Sequence, residues 1–275
     1  MKPYLYKNMF SLEGKTAIVT GGLGILGKQI CQGLAEFGAN VAVIDLNQQE
    51  AEEFSKELSE SFGVKCLGVA CDVSSPTSVK EMVNEVVKTL GEIHVLHNNA
   101  ASKSKDLDAF FSPFEEYSMD QWREIMSVNI DGMFLVAQSV GKQMVQQGKG
   151  GSIIQTASIY GIVAPDNRIY EGSHYLGRQI NTPAVYSASK ASVVGLTKYL
   201  ASYWAPQEIR VNTLIPGGIQ SGQNEVFIEK YSNRVPLGRM GRPDEIVGVM
   251  VYLASDASSY VTGQQFVIDG GLSAW

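Results

Sequence analysis

Seven short apolar runs rich in β-branched residues alternate along the chain with longer amphipathic stretches. The runs have strand length, and the stretches between them have the spacing of helices with one apolar face. Strict alternation of this kind builds βαβ units, in which helices cover both faces of a parallel sheet. The chain is therefore predicted to adopt an α/β fold on a doubly wound parallel sheet of about seven strands. The predicted strands are TAIVT at Thr16 to Thr20, NVAVID ending at Asp45, VKCLGVACD ending at Asp72, IHVLHN ending at Asn98, SIIQTAS ending at Ser158, RVNTLIP ending at Pro216 and QQFVID ending at Asp269.

Length, charge and cysteine content limit the kinds of protein that this chain can be. With 275 residues, 44% of them hydrophobic, the chain can bury a full core, and we expect one domain over residues 1–275. The net charge is −6 and no basic run occurs, so nucleic acid is not an expected partner. The N-terminal segment has no long apolar run, which predicts neither a secretory signal nor a membrane span and indicates a cytoplasmic protein. The three cysteines lack metal-ligand spacing, so we expect reduced thiols and no metal site.

A glycine-rich turn follows the first predicted strand and opens a helix. Glycines let the backbone approach a pyrophosphate closely, and a helix N-terminus offers unpaired N–H groups, although a plain turn before a helix is the alternative. Asp45 ends the second strand 18 residues after Gly27, where a carboxylate can bind the adenosine ribose hydroxyls. That carboxylate would repel the 2′-phosphate of NADP, and no Arg or Lys occupies the next three positions, so NAD is the predicted cofactor. The predicted contacts in the turn are Gly21, Gly22, Gly24 and Leu26.

Asp72 and Val73 end the third predicted strand. The carboxylate of Asp72 is a candidate acceptor for the adenine amine, with Val73 packing on the ring. The sequence leaves a second interpretation equally open, in which Asp72 is the N-cap of the helix that begins after Ser74-Ser75-Pro76.

Tyr186 and Lys190 lie four residues apart in YSASK, on a segment whose apolar spacing is helical. They therefore share one helix face. A free tyrosine has a pKa near ~10, and a nearby ammonium stabilises the phenolate, so Lys190 is predicted to lower the pKa of Tyr186. Taken alone, such a pair is more typical of a half-buried Tyr beside a solvated Lys, and only its context points to catalysis.

Together these residues resemble the short-chain dehydrogenase/reductase family, in its compact single-domain branch. The resemblance covers Leu12 to Gly271 and implies a Rossmann-type fold with nicotinamide-dependent oxidoreductase activity. The matching segments are the glycine turn, Asp45, Asp72-Val73, Asn98-Asn99-Ala100, Asn129 in VNIDG, Ser158, Tyr186 with Lys190, the Pro216-Gly217 turn and the tail VTGQQFVIDGG.

The family resemblance also implies catalytic roles. Tyr186 would exchange a proton with the substrate oxygen, Ser158 would hydrogen-bond that oxygen, and Lys190 would hold the nicotinamide ribose. Asn129 would position a water that relays the proton, whereas a helical asparagine considered alone is more often structural. The further cofactor contacts implied are Asn99, Ala100, Pro216, Gly217, Ile219 and Ser221, with Asn98 shaping the same pocket.

Three positions depart from the family pattern. The glycine motif reads T-G-x-x-G-x-x-G, with Gly24 one residue earlier than usual, a spacing typical of the longer, sugar-nucleotide-modifying branch. Ala101 stands where the family often has glycine, and Ser221 where it often has threonine. The span from Gly21 to Gly27 is intact, so the departure concerns the local phosphate contacts.

The 28 residues from Ser158 to Tyr186 are about twice the usual family spacing. Residues 162–183 are therefore predicted to be an insertion that forms a polar lobe over the substrate. Arg168 and Arg178, together with Lys103 and Lys105 after the Asn-Asn-Ala turn, are candidate contacts for a phosphate or carboxylate. A solvated surface loop is the alternative. The segments SIYGIVAP and NTPAVYSASK are also loosely similar to bacterial oxidoreductases of surface-glycan sugar synthesis.

These features predict an NAD-dependent oxidoreductase that moves a hydride between nicotinamide and a secondary alcohol or ketone of a polar substrate. A sugar, sugar phosphate or nucleotide sugar fits the polar insertion best. One alternative is a 3-oxoacyl-carrier-protein reductase or general alcohol dehydrogenase, and Asp45 disfavours the reductase. The other is a non-catalytic NAD-binding module, which the intact Ser158, Tyr186 and Lys190 disfavour. A homotetramer is expected from the family and from the apolar helices at 132–144 and 191–204, whose apolar residues could equally be core.

Overall fold

The computed structural model describes residues 6–104, 106–175 and 177–275, so Lys105 lies outside the described residues. Secondary structure alternates along these ranges as the sequence predicts. The strands are β1 (Thr16–Thr20), β2 (Asn40–Asp45), β3 (Cys66–Ala70), β4 (Val95–Asn98), β5 (Gly151–Thr156), β6 (His174–Tyr175), β7 (Arg178–Gln179), β8 (Ile209–Pro216) and β9 (Gln265–Ile268). The α-helices are α1 (Ile25–Glu36), α2 (Gln48–Phe62), α3 (Pro76–Leu90), α4 (Leu107–Phe110), α5 (Met119–Met126), α6 (Met133–Gln147), α7 (Ala184–Tyr203), α8 (Glu225–Ser232) and α9 (Val247–Ala254).

Seven of these strands form one sheet in the order β3-β2-β1-β4-β5-β8-β9, and every pairing is parallel. The prediction of a single-domain α/β fold with a doubly wound sheet of seven strands is confirmed. The strand order reverses between β1 and β4, and ligands of such sheets bind at the carboxyl ends of the strands beside this reversal. Strands β3 and β5 end two residues before Asp72 and Ser158, so both side chains stand just beyond the sheet.

Adjacent residues of a strand point to opposite faces, and the apolar residues of β1 therefore serve two cores. Ile18 packs with α3, α6 and the C-terminal half of α7 on one face. Ala17 and Val19 pack with α1, α2 and α9 on the other. Because helices cover both faces of the sheet, the strand sequences are continuous apolar runs and do not alternate between apolar and polar residues.

Side-chain caps set the start of several helices. Asn47 accepts a hydrogen bond from the Glu50 N–H at the start of α2, and Ser75 accepts one from the Ser78 N–H at the start of α3, where Pro76 is the first helical residue. The N-cap of α3 is therefore Ser75, and the interpretation of Asp72 as that cap is wrong.

Residues 162–183, the predicted insertion, pack against α8. They contain a 3-10 turn at Asn167–Tyr170 and the short antiparallel hairpin β6-β7, where the sequence predicted only loop. Ile169, Tyr170 and Ile180 of the insertion share a small core with Phe227 and Tyr231 of α8. Among the described residues, no helix is both long and apolar enough to span a membrane.

Candidate active site

A cavity of about 520 Å³ lies at the carboxyl ends of β1, β4, β5 and β8. Its wall is formed by the glycine turn after β1, the loop after β4, the end of β5, the start of α7 and the turn after β8. Residues 180–183 of the insertion line it as well. The fold thus gathers at one cavity five segments that the sequence singled out separately.

Ser158, Tyr186 and Lys190 all line this cavity. Ser158 follows β5 and its hydroxyl accepts a hydrogen bond from the Tyr160 N–H (3.3 Å). Tyr186 and Lys190 lie one turn apart on α7, and the Lys190 Nζ stands 6.0 Å from the Tyr186 ring centroid. The Lys190 Nζ donates to the Thr156 carbonyl at the end of β5 (3.1 Å), which ties the helix to the strand.

Burial dominates the titration of both groups. It raises the pKa of Tyr186, and a hydrogen bond from the Ser158 side chain offsets part of the rise. Burial also lowers the pKa of Lys190 to about 8. The expectation that Lys190 lowers the pKa of Tyr186 is not met in this structure, since the ammonium lies over the ring at 6.0 Å and donates instead to Thr156.

Asn129 lies in a π-helical turn, Ser127–Gly132, between α5 and α6. The turn places the fully buried amide between two parts of the site. Its Oδ1 accepts from the Ser102 N–H of the loop after β4 (2.8 Å), and its Nδ2 donates to the Ser189 hydroxyl of α7 (3.3 Å). Interruptions of this kind in helices are frequent at functional sites.

The glycine turn is tight because two of its members admit no side chain. Gly21 has φ +65°, and a Cβ on Gly27 would stand 2.0 Å from the Gly21 carbonyl oxygen. Gly22 donates its N–H to the Ile44 carbonyl (2.9 Å), which fixes the turn to β2. Gly24 is the N-cap of α1, and it lines the cavity together with Leu26. The shifted glycine therefore stands at the helix start, where a phosphate would meet the free N–H groups.

Asp45 ends β2 beside this turn. Its carboxylate accepts from the Leu23 N–H (3.0 Å) and from the Leu46 N–H (2.8 Å). The bond from Leu23 holds the carboxylate at the glycine turn. Lys28 of α1 is paired with Glu50 (3.3 Å).

Asp72 and Val73 lie just beyond β3. The Asp72 carboxylate accepts from the Ser74 N–H (2.9 Å) and the Ser74 hydroxyl (2.6 Å), and it remains exposed. Val73 is buried against Gly132, where a Cβ would stand 2.8 Å from Val73 Cγ2. The pair thus forms a polar and an apolar surface side by side at the end of β3.

The turn at Asn98-Asn99-Ala100 is held by Thr20 at the end of β1. The Thr20 hydroxyl accepts from the N–H groups of Asn99 (2.9 Å) and Ala100 (3.1 Å). The Asn98 Nδ2 donates to the Met133 carbonyl (2.7 Å), and Asn99 lines the cavity. This turn packs on the glycine turn, since a Cβ on Gly21 would stand 3.1 Å from the Ala100 Cα.

The turn after β8 is braced by a side chain that the sequence did not single out. Gln223 accepts from the Ser221 N–H (2.8 Å) and donates to the Ile219 carbonyl (3.0 Å) and to the Ser221 hydroxyl (2.8 Å). The Gly217 N–H donates to the Ile268 carbonyl of β9 (2.9 Å). Pro216, Gly217, Ile219 and Ser221 all line the cavity.

Arg168 and Arg178 do not line the cavity. Arg168 is exposed and makes a two-pronged contact with Asp166 (2.9 and 2.8 Å), while Arg178 makes one with Asp108 (2.5 and 3.1 Å). Each guanidinium group is thus paired with a carboxylate of the chain, and the structure gives no support to the expectation that the two groups contact the substrate. Lys103, the third candidate for a substrate contact, is among the residues that line the cavity.

The wall that the insertion contributes to is largely apolar, not polar as the sequence predicted. Arg168, Glu171 and Arg178 of the insertion are exposed and do not line the cavity, whereas the insertion residues that line it combine apolar side chains with a hydroxyl and an amide group. Sequence reasoning missed these inner residues, since the segment offers neither a helical nor a strand period that would tell its two sides apart. The wall-forming residues from the insertion and its neighbours are Phe110, Phe111, Ile159, Tyr160, Ile180, Asn181, Thr182, Phe227, Tyr231 and Met240.

Comparison with known proteins adds three findings. A protein-family model described as enoyl-(acyl carrier protein) reductase matches residues 24–273. The D-threitol dehydrogenase of Mycolicibacterium smegmatis is 35% identical over 270 residues, which cover 95% of this chain and 94% of that protein. A 3-oxoacyl-[acyl-carrier-protein] reductase of Thermotoga maritima is 37% identical over 265 residues, covering 95% and 98%.

Among solved structures, a gluconate 5-dehydrogenase from Burkholderia cenocepacia in complex with NADP and tartrate is similar over nearly the whole chain. The TM-score is 0.85 at 32% sequence identity, and the match covers 98% of each chain.

Proposed function

Because the chain belongs to the short-chain dehydrogenase/reductase family, we propose that it is an NAD-dependent oxidoreductase acting on a secondary alcohol or ketone of a sugar or polyol. The observation that carries the proposal is the single cavity that brings the Tyr186 phenol, the Ser158 hydroxyl and the Lys190 ammonium to the ends of β5 and α7. Family membership supports oxidoreductase chemistry on a CH–OH group. The choice of NAD and of a sugar or polyol is argued from residues of this chain.

The residues at the cavity fit a dinucleotide. The glycine turn presents backbone and the start of α1 to the cavity, and Asn99 and the turn after β8 stand on either side. The bound nicotinamide would supply or accept the hydride. Lys190 would hold its ribose, Ile219 and Ser221 its carboxamide, Asp45 the adenosine ribose, and Asp72 with Val73 the adenine.

Proton transfer would fall to Tyr186. Because burial raises the pKa of Tyr186, the phenol is protonated at neutral pH and is available to donate to a carbonyl oxygen. Ser158, whose hydroxyl hydrogen-bonds Tyr186 in this structure, would turn its proton to that oxygen when the substrate is bound. Asn129, fixed between the loop after β4 and α7, would hold the water that returns the proton to Lys190 and Tyr186.

The preference for NAD follows from Asp45. Its carboxylate is held by two backbone N–H groups beside the glycine turn, so it could not swing away from a 2′-phosphate without losing both bonds. The one cation of α1, Lys28, is paired with Glu50. The similar gluconate 5-dehydrogenase structure contains NADP, so the preference must come from this chain's own residues.

A sugar or polyol is supported by the hydroxyl and amide groups in the cavity wall and by the D-threitol dehydrogenase and gluconate 5-dehydrogenase relatives. Lys103 on the wall would accommodate a carboxylate or phosphate on the substrate. The insertion would form the substrate lobe of this single domain.

The test is a turnover screen of purified protein with NAD and NADP against polyols, ketoses, aldonates and sugar phosphates. Tyr186→Phe is expected to lower kcat by about 10² to 10⁴ and to leave NADH affinity unchanged, because it removes the proton-carrying oxygen and keeps the ring. Tyr260→Phe, at a fully exposed tyrosine, is the matched control and should behave as wild type. Tight NADH binding without turnover of any substrate would favour a non-catalytic module.

The apolar part of the wall supports a second candidate, a 3-oxoacyl-carrier-protein reductase. Phe110, Phe111, Ile180, Phe227 and Met240 could pack on an acyl chain, and the Thermotoga maritima relative has this activity by name. Adding acetoacetyl-CoA and longer 3-oxoacyl thioesters to the same screen distinguishes a sugar or polyol oxidoreductase from a 3-oxoacyl-carrier-protein reductase. A thioester reduced with higher kcat/KM than every sugar and polyol would replace the first proposal by this one.

A further inference from the structure

Two buried polar atoms of the cavity-lining residues lack a well-aligned hydrogen bond among the described residues. Asn181, near the end of the insertion, donates its Nδ2 to the Phe111 carbonyl (2.8 Å), which fixes the orientation of the amide. Its Oδ1 is buried and finds no hydrogen-bond partner in the part of the chain that the structure describes. The Tyr160 hydroxyl, two residues after Ser158, is also buried and makes no well-aligned hydrogen bond to the described residues, although it contacts the Tyr170 side chain. Both residues belong to the cavity wall.

These atoms lie in the neighbourhood of the catalytic phenol. The Tyr170 phenol contacts the Tyr160 phenol, and it also acts electrostatically on Tyr186. Its own hydroxyl is engaged by the Thr182 hydroxyl (2.5 Å), the residue next to Asn181. Thr182 therefore has its partner within the insertion, and the Tyr160 hydroxyl contacts Tyr170. The Asn181 Oδ1 remains an unmatched acceptor among the described residues, in the cavity that Tyr186 also lines.

Phe111 and the aromatic residues of α8 hold this arrangement in place. The Phe111 carbonyl anchors the Asn181 amide, and Tyr170 stacks on Phe227, which stacks in turn on Tyr231. The polar atoms are consequently fixed by packing on several sides before a substrate arrives. Preorganised groups of this kind discriminate between ligands more sharply than mobile ones.

We propose that Asn181 and Tyr160 recognise a non-reacting hydroxyl group of the substrate, near the carbon whose oxygen meets Tyr186 and Ser158. The Asn181 Oδ1 accepts a hydrogen bond from that hydroxyl, and the Tyr160 phenol donates one to it. The inference rests on the proposed function and gives it a specificity: a polyol or hydroxyketone is preferred to a simple secondary alcohol or ketone.

The physical reason is that a substrate without the hydroxyl leaves the Asn181 Oδ1 buried and unpaired when it closes the cavity, and returns the Tyr160 phenol to its contact with Tyr170. A site built to hydrogen-bond a hydroxyl rejects the analogue that lacks it far more strongly than an apolar pocket rejects one of the wrong size. Burial also raises the pKa of Tyr160 far above its ordinary range, so the phenol is a donor at every working pH.

The experiment measures kcat/KM for pairs of substrates that differ by one hydroxyl: 2,3-butanediol with 2-butanol, and D-threitol and xylitol with their monodeoxy analogues. Wild type, Asn181→Leu, Tyr160→Phe and the double variant are compared. Two matched controls make the same side-chain changes outside the cavity wall: Asn167→Leu, exposed on the insertion, and Tyr117→Phe, which removes another buried, unpartnered hydroxyl.

Wild type should prefer the hydroxylated member of at least one pair by about a hundredfold or more. Each cavity variant should lower this ratio about tenfold or more, because kcat/KM falls for the hydroxylated substrate and not for its partner. The affinity for NADH should stay unchanged, and both control variants should give the wild-type ratio. Ratios that stay within about twofold of wild type in both variants overturn the inference, even if the enzyme turns over polyols well. If wild type oxidises none of the probes with NAD or NADP, the proposed function fails, and the inference fails with it.

Discussion

Asp45 is the residue whose replacement most directly tests cofactor choice. Asp45→Asn removes the negative charge with almost no change in shape. The Asn oxygen can keep one of the two bonds to the Leu23 and Leu46 N–H groups, and we expect the lost one to cost about 1 kcal/mol of stability. The variant should therefore fold, and it should bind NADH more weakly than wild type because an amide oxygen accepts more weakly from the ribose hydroxyls than a carboxylate does.

The magnitude follows from Coulomb's law. A carboxylate about 5 Å from one phosphate charge, at an effective dielectric constant of about 20 to 40, is repelled by roughly 2 to 3 kcal/mol. That energy corresponds to about a 30- to 150-fold preference for NAD(H) over NADP(H), and most of it should vanish in Asp45→Asn. Adding Leu46→Arg, at an exposed position beside the carboxylate, should reverse the preference by supplying a cation to the 2′-phosphate.

Fluorescence titration with NADH and NADPH measures the four dissociation constants needed for wild type and Asp45→Asn. The ratio should also fall with added salt, since part of the repulsion acts through solvent. Glu52→Gln, an exposed charge removal on the following helix, is the matched control and should leave the ratio unchanged. Equal affinities for the two cofactors in wild type, or the same preference in Asp45→Asn, would refute the reasoning.

Three further predictions concern other parts of the molecule. Burial lowers the pKa of Lys190 to about 8, against 10.5 for the free group. Below about pH 8 the buried ammonium therefore lowers the free energy of unfolding by up to roughly 3 kcal/mol. This loss disappears, and the protein becomes more stable, as the pH rises from about 8 to 10.5. Lys190→Met should therefore raise the urea midpoint at pH 7 by an amount that shrinks towards pH 10, and an unchanged or lower midpoint at pH 7 would contradict this. Arg168→Ala and Arg178→Ala should change KM for any substrate by less than about fivefold, because both guanidinium groups are paired with carboxylates on the surface; a thirtyfold effect in steady-state kinetics would restore them as substrate contacts. Light scattering should give the mass of a homotetramer, four times the 29.9 kDa of one chain. The reason is that α6 and α7 expose large side chains: Phe134 on α6 and the stacked pair Tyr199 and Tyr203 on α7. A monomer mass at micromolar concentration would rule out the tetramer.

Much of the fold was readable from the chain because the relevant signals are local. A β-branched run between amphipathic stretches predicts a buried parallel strand whatever surrounds it, and all seven runs became strands of the sheet. The parallel arrangement then requires that the strand ends meet at one edge, which is why Asp45, Asn98, Ser158 and Pro216 could be chosen in advance as candidate ligand contacts. Tyr186 and Lys190 share a helix face for an equally local reason.

Other properties of the site depend on contacts between residues far apart in the sequence. Arg178 is removed from the cavity by Asp108, 70 residues earlier, and the Asn181 amide is oriented by the Phe111 carbonyl at the same separation. Neither partner can be inferred from residue type, because any carboxylate or carbonyl could have served.

The pKa of Tyr186 shows most clearly which properties follow from the sequence and which depend on the tertiary structure. The sequence determined that a phenol and an ammonium stand one helical turn apart, and from this it predicted a lowered pKa for Tyr186. Only the tertiary structure decided how deeply the phenol is buried and that the Lys190 ammonium is bonded to the Thr156 carbonyl, and burial therefore raises the pKa instead. Desolvation is a property of everything packed around a group, and no spacing along the chain encodes it.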